Sequence, residues 1–347
     1  MNKLNLMQFS PGGGCGCKIS PKHLSSILES SVLFKNDLNL IVGNEFKDDA
    51  AVYSIDEENA IISTTDFFTP ITNDAKNFGM IASANAISDV YAMGGTPITA
   101  LAILGFPIDT IPISVASDIM NGAREMCKEA GIILSGGHSI NIDTPIFGLA
   151  VTGKIKINNI KRNNTATKDC KLFLTKPIGT GVLSTAEKKG LLSEEDYCSY
   201  IKTPKKLNDI GALLSEVGEV KAMTDVTGFG LAGHILEMCG GNNLIVNLYY
   251  DRVPILSSMK KYIGASTPSG TSRNWESYKE NISILGEKYR DIICDPQTNG
   301  GLLIAVEDSG INKLRGVAKK HNTEIYEIGF LKITLINQKS YYILFKY

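Results

Sequence analysis

The chain has 347 residues, of which 43% are hydrophobic and 20% charged; 35 Lys and Arg stand against 36 Asp and Glu, a net charge of −1. At about 100–200 residues per domain this predicts two domains with a sizeable core and excludes general disorder. The near-neutral balance gives no bulk electrostatic reason to bind nucleic acid or an anionic membrane, leaving room only for a small local basic site.

Residues 1–20 form a Gly-rich arm, in which Pro11 to Lys18 reads PGGGCGCK. Three consecutive glycines hold neither helix nor strand. A helix is predicted to start at Ser20-Pro21, with Ser as N-cap and Pro in the first turn. Strands are predicted at Ala50 to Ile55 and Ala60 to Thr65. A helix follows from Phe78 to Met93, closed by Gly94-Gly95 and Pro97. Next come a buried strand from Thr99 to Gly105, a helix from Val115 to Ala130, and strands at Gly131 to Leu134 and Ile146 to Lys154. The best apolar run, Ile98 to Ile108, is about 11 residues and contains Gly105 and Pro107, where a membrane span needs about 20. The opening residues lack the apolar stretch of a secretory signal, so the expected compartment is the cytoplasm.

The polar, basic stretch Lys154 to Lys168 is the expected domain boundary. It gives an arm at 1–20, an N-terminal domain at 21–156 and a C-terminal domain at 157–347. Alternation then resumes with a strand from Lys171 to Thr175, a Gly loop at Gly179 to Gly181, and helices from Val182 to Lys189 and Lys205 to Gly218. After these come a strand from Ala222 to Thr224, a helix from Leu231 to Cys239, a polar loop from Gly264 to Tyr278, and late strands at Gly301 to Val306 and Tyr341 to Phe345. Interspersed helices and strands make the fold class α/β with α+β character.

Three constellations carry chemistry. The first is acidic. Asp48-Asp49 precedes a strand, Asp66 ends one, Asp89 shares a helix face with Asn85 four residues earlier, and Asp225 ends a strand before Thr227-Gly228-Phe229-Gly230. Hard carboxylate oxygens in Gly-rich settings suit Mg²⁺ bridging to phosphate. Each Asp alone reads as a cap or turn residue; four in similar contexts favour a metal–nucleotide site. The second is a pair of Gly-rich turns, Leu134 to Ser139 and Thr175 to Gly181, whose N–H groups can cradle phosphate. Neither a Walker-type nor a dinucleotide motif is present, and His138 taken alone reads as a hydrogen-bonded structural residue.

The third is Cys15-Gly16-Cys17-Lys18. One CxC pair is poor evidence for zinc, whereas a thiol beside Lys18 ionises more readily, and Lys18 can also bind phosphate oxygens. The chain holds seven cysteines, too dispersed for a disulfide scaffold. Cys127, Cys170, Cys198, Cys239 and Cys294 read as small buried hydrophobes, and Cys17 as an accessory thiol. These residues alone describe an Mg²⁺–nucleotide enzyme with a reactive thiol; a non-catalytic thiol or metal carrier is the rival of another class.

Several motifs, in order along nearly the whole chain, resemble the selenophosphate synthetase (selenide, water dikinase) family: GGGCGCKISP from Gly12, DDAAVY from Asp48, TTDFFTPI from Thr64, NAISDVYAMGG from Asn85, GGHS from Gly136, TDVTGFGLAGH from Thr224, TSRNWESY from Thr271 and DPQTNGGLL from Asp295. The resemblance implies two α/β domains of the aminoimidazole ribonucleotide synthetase type, with N-terminal domains pairing into a shared β-barrel in a homodimer. It implies conversion of ATP, selenide and water into selenophosphate, AMP and orthophosphate, supplying selenium for selenocysteine or modified tRNA. By the same resemblance Cys15 and Lys18 are catalytic, and Asp49, Asp89 and Asp225 are Mg²⁺ ligands. Lys18, Phe46, Lys47, Asp48, Asp66, Asp89, Gly137, His138 and Ser139 contact ATP. A selenium-delivery protein stays open as a partner. Thiamine-monophosphate kinases and aminoimidazole ribonucleotide synthetases share the acidic framework, and the Cys15–Lys18 arm separates this chain from them.

Overall fold

The computed structural model describes residues 5–10, 27, 37–43, 45–240, 243–283, 287–333 and 343–346. Cys15, Cys17, Lys18 and the helix start at Ser20-Pro21 lie outside the described residues. Among the described residues two six-stranded sheets organise the chain. The first is built from β1 (Leu40–Val42), β2 (Ala51–Ser54), β3 (Asn59–Phe68), β4 (Thr96–Gly105), β5 (Ile133–Ile140) and β6 (Ile146–Lys156), in the order β1-β2-β3-β6-β4-β5. Its pairs are antiparallel except β4–β5. The second holds β7 (Lys171–Leu174), β8 (Val220–Asp225), β9 (Leu244–Tyr249), β10 (Leu302–Val306), β11 (Tyr326–Ile333) and β12 (Ile343–Lys346), in the order β12-β9-β11-β7-β10-β8. The fold is therefore mixed α/β, with largely antiparallel sheets.

Two helices, α1 (Ala75–Ala92) and α2 (Ile113–Glu129), cover the first sheet. Asp74 caps α1 by accepting from Asn77 N at 2.8 Å. Its other end closes on Gly94, at φ +83°, where Gly94 N donates to Tyr91 O and Gly95 N to Val90 O. These paired bonds satisfy carbonyls that the helix leaves open, and the left-handed turn suits a residue with no Cβ. The two helices cross closely at glycines. A Cβ on Gly79 would lie 1.9 Å from Ile119 O, and one on Gly122 would lie 2.0 Å from Lys76 O. From Ile81 to Ala92 every residue of α1 is buried, because the second half of the molecule packs on the side that the sheet leaves open.

The second half contributes α3 (Thr180–Lys188), α4 (Glu194–Tyr200), α5 (Lys202–Lys205), α6 (Ile210–Leu214), α7 (Gly230–Cys239), α8 (Met259–Tyr262), α9 (Ser269–Tyr278), α10 (Glu287–Ile293) and α11 (Ile311–Lys320). Buried polar bonds tie the halves together. Ser184 Oγ donates to Ile71 O at 2.7 Å, and Glu187 Oε1 accepts from Asn73 N at 2.7 Å and from Thr72 Oγ1 at 2.9 Å.

The structure departs from the sequence expectations at several places. Within the arm expected at 1–20, Leu6–Phe9 form a short 3₁₀ helix with Leu6 and Met7 buried, and Met7 N donates to Asn73 Oδ1 at 3.0 Å. The helix expected from Lys205 to Gly218 is two short helices, α5 and α6, broken at Lys206–Asp209. The polar loop expected from Gly264 to Tyr278 contains α9, whose Gly270, Thr271 and Asn274 are buried. The Gly-rich turn expected at Leu134 to Ser139 is strand β5, with Gly137 paired to Ala102. Cys127, Cys170, Cys239 and Cys294 are buried as expected, whereas Cys198 is exposed on the solvent side of α4.

Candidate active site

The acids gather where α1 passes between the sheets. Period-two alternation along β3 puts Thr64 and Asp66 on the same face as the buried Ala60, Ile62 and Phe68, towards α1. On α1, Asn85, Ser88 and Asp89 stand at i, i+3 and i+4, one face of the helix. Thr64 Oγ1 donates to Asp89 Oδ2 at 2.5 Å, and Asn85 Nδ2 donates to Asp66 Oδ2 at 2.7 Å. From the second sheet, Asp225 at the end of β8 accepts from Ser88 Oγ at 2.6 Å, and Thr224 Oγ1 donates to Asp49 Oδ1 at 2.9 Å. The face of one helix thus binds carboxylates from both sheets.

Asp49 is the electrostatic centre. The residue is half-buried, and its buried Oδ2 has no hydrogen-bond partner among the described residues. Burial, then the neighbouring Asp225 and Asp89 carboxylates, push its carboxyl well above the usual range, against the single bond from Thr224. Three carboxylates in mutual repulsion with one orphaned oxygen suit a hard divalent cation. Among the described residues no three His, Cys, Asp or Glu side chains are close enough to hold one ion by themselves. Mg²⁺ takes one or two carboxylates and fills its octahedron with water and phosphate.

The other expected residues divide differently. Asp48 points away from the acids: its Oδ1 accepts from Asn163 N at 2.8 Å and its Oδ2 from Arg162 Nε at 3.4 Å. Asn163 Nδ2 also donates to Phe46 O and Lys47 O, at 3.2 and 3.0 Å, and Lys47 is held at φ +58°. Arg162 lies 5.5 Å over the half-exposed Phe46 ring. Gly137, His138 and Ser139 are exposed on edge strand β5.

The Thr175 to Gly181 turn does not offer a free anion cradle. Gly179 N and Thr180 N donate to Gln297 Oε1 at 2.9 and 3.1 Å, and Gly181 N donates to Asp295 Oδ2 at 3.2 Å. The start of α3 is capped from inside the protein, so these N–H groups are already used. Asp295 is fully buried, and burial raises its carboxyl to about 8 despite the bonds from Gln297 and Gly181. Sequence reasoning passed over Ser88, Asn208 and Asn299, which join the acids to the second half. Ser88 carried a signal, lying three residues after Asn85 and one before Asp89. Asn208 carried none, since it sits in a segment expected to be helical.

With this geometry in place, the chain matches two family models: "AIR synthase related protein, N-terminal domain" over residues 47–155 and "AIR synthase related protein, C-terminal domain" over 167–332. It is 54% identical over 304 residues to the selenide, water dikinase of Shewanella sp. (strain W3-18-1), covering 87% of this chain and 86% of that one. To the selenide, water dikinase of Haemophilus influenzae it is 51% identical over 331 residues, covering 95% and 96%. Among solved structures it resembles hydrogenase maturation protein HypE in complex with ATP, with TM-score 0.66 and 16% identity over 99% of this chain and 94% of that one. It also resembles thiamine-monophosphate kinase from Stenotrophomonas maltophilia K279a, with TM-score 0.65 and 17% identity over 94% of each. At these identities the two structures speak to the fold alone.

Proposed function

The chain belongs to the selenide, water dikinase family, and from that premise we propose how its residues divide the work. The enzyme uses ATP to make selenophosphate from selenide and water. In our reading, Asp49, Asp89 and Asp225 bind Mg²⁺ between them, one or two carboxylates to an ion with water and phosphate completing its shell, and the metal would neutralise phosphate charge during transfer. The observation that carries this is the orphaned, buried Asp49 Oδ2 facing two further carboxylates. Burying such a group is costly unless a cation offsets it.

Asp66 and Asp89 then contact ATP, together with Phe46, Lys47, Asp48, Gly137, His138 and Ser139. Asp48 does so through the backbone of its loop, since both its carboxylate oxygens are bonded to Arg162 and Asn163. Cys15 handles selenium and Lys18 the phosphoryl group, from the 1–20 arm that precedes the 21–156 and 157–347 domains. A homodimer in the cytoplasm completes the reading. Tyr53, Phe67, Leu101 and Ile133 are all exposed on the face of the first sheet opposite α1, an apolar surface that a second copy would cover.

The test is anaerobic ³¹P NMR of the protein with Mg–ATP, with and without selenide. Selenide-dependent AMP, orthophosphate and a selenophosphate resonance are expected. ADP accumulating without AMP, or turnover indifferent to selenide, would send the assignment to other kinases of this fold.

A further inference from the structure

The Asn299-Gly300-Gly301 turn lies against both halves of the site. Asn299, held at φ +45°, donates its backbone N–H to Asn85 Oδ1 at 2.7 Å, and Asn85 passes the constraint to Asp66. Gly300 O accepts from Asn208 Nδ2 at 2.8 Å; the same amide donates to Ser88 Oγ at 2.8 Å, and Ser88 bonds Asp225. Val226, next to Asp225, donates its N–H to Gly301 O at 2.9 Å. There is no room to spare, since a Cβ at Gly300 would lie 2.1 Å from Val226 O and one at Gly301 would lie 2.4 Å from Lys176 N.

Beneath this turn lies Lys176, buried at the end of β7. Its Nζ donates to Asn299 O at 3.0 Å and to Lys206 O at 2.6 Å. Asn299 Nδ2 reaches the same Lys206 carbonyl at 2.9 Å and Pro204 O at 2.7 Å. We infer that Lys176 is a positioning residue for the reaction: by tying the Asn299 and Lys206 carbonyls together it fixes the turn that aims Asp66 and Asp225 at the bound nucleotide. This rests on the reading of those acids as part of the Mg–ATP site.

A buried amine is costly to desolvate, and here two hydrogen bonds to carbonyls from separate segments offset that cost. Burial lowers the Lys176 amine to about 7, with Asp225 acting in the opposite direction. The clamp does not depend on which form prevails, because a neutral amine keeps two N–H groups for two carbonyls.

The experiment is a double-mutant cycle on the full chain: wild type, Lys176→Met, Asn85→Ala and the pair, each assayed for selenide-dependent AMP formation and for its thermal midpoint without nucleotide. Lys176→Met is expected to lower kcat about 10- to 100-fold, the scale of a small misplacement of reacting groups. The KM for ATP should stay within about threefold, while the thermal midpoint falls, because the Asn299 carbonyl loses its buried donor. In the Asn85→Ala background the same substitution should cost at least about threefold less, since residues acting through one network are not additive. If Lys176→Met does not accumulate as folded protein, Lys176→Leu, which also removes the donor, takes its place in the cycle. A folded variant with kcat within twofold of wild type overturns the inference, as does an equal effect in both backgrounds. A wild-type chain without selenide-dependent AMP overturns the proposed function and the inference with it.

Discussion

Asp48 and Asp49 are neighbours in sequence and opposites in environment. Asp48 belongs to a clasp in which Asn163 and Arg162 each supply a donor to its carboxylate and Asn163 also holds the Phe46 and Lys47 carbonyls. Asp49 belongs to a cluster in which Thr224 supplies one donor, one oxygen has no partner among the described residues, and two other carboxylates raise its energy. Consecutive side chains entering β2 point to opposite sides, so one faces the segment leaving β6 and the other faces β8. The difference teaches where stability ends and chemistry begins. The clasp is satisfied and holds the loop, while the cluster is left in deficit so that a ligand can complete it.

The sharpest way to break this comparison is to neutralise each aspartate in turn. Asp49→Asn is expected to lower selenophosphate formation by at least about 100-fold, because positioned charge is most of what phosphoryl transfer asks of a protein. The same variant should melt at or above wild type without Mg–ATP, since a repelling buried carboxyl has gone. An active Asp49→Asn enzyme, or one that is plainly less stable, would contradict the deficit. Asp48→Ala should show the reverse pattern. It strands Asn163 N and the Arg162 side chain, at a cost of about 3 kcal/mol in chemical denaturation, while kcat per folded molecule falls far less than in Asp49→Asn. Ser88→Ala should fall between the two, losing about 1 kcal/mol for a buried hydroxyl that bridges Asn208 and Asp225. Its kcat should drop about tenfold, read with the KM for ATP to separate aim from binding.

Local pattern made some of this legible and long-range bonding hid the rest. β3 and α1 carry their own signals: a run rich in β-branched residues from Ile61 to Thr65 in one, and the Gly94-Gly95 and Pro97 stop in the other. Their aspartates therefore read as strand-end and helix-face residues from the local sequence alone. By contrast, α9 reads as a loop because SGTSRNWESY has few apolar residues. It is helical because tertiary contacts hold it, with Asn274 Nδ2 donating to Gly228 O and Cys294 O at 3.0 Å each. The Gly136-Gly137 pair reads as a turn yet lies in a strand, where a Cβ on Gly137 would meet Ala102 O at 2.1 Å; the glycine is there for close backbone approach. The break between α5 and α6 exposes the Lys206 carbonyl to Lys176 and Asn299, partners that are far away in sequence. No periodicity could reveal that junction, because its members lie on separate elements and meet only when the sheets pack.

Asp295 supplies the finest test, as an aspartate between the two extremes. Its Oδ2 accepts from Gly181 N and Gln297 Nε2, as in a clasp, while its Oδ1 is buried without a partner among the described residues, as in the cluster. Burial dominates and raises its carboxyl from the ordinary 3.8 to about 8 in the folded chain. An acid raised in this way binds its proton more tightly when folded. Its contribution is therefore fully present below the unfolded value and is lost as pH rises through the folded one. Between about pH 4 and 8 the wild-type thermal midpoint should fall more steeply than that of Asp295→Asn, an uncharged isostere. The two curves should lie close together at the acid end and separate towards pH 8, with the variant on top. Parallel curves across that window would mean that Asp295 is ionised in the folded protein and belongs with Asp48 rather than between the two.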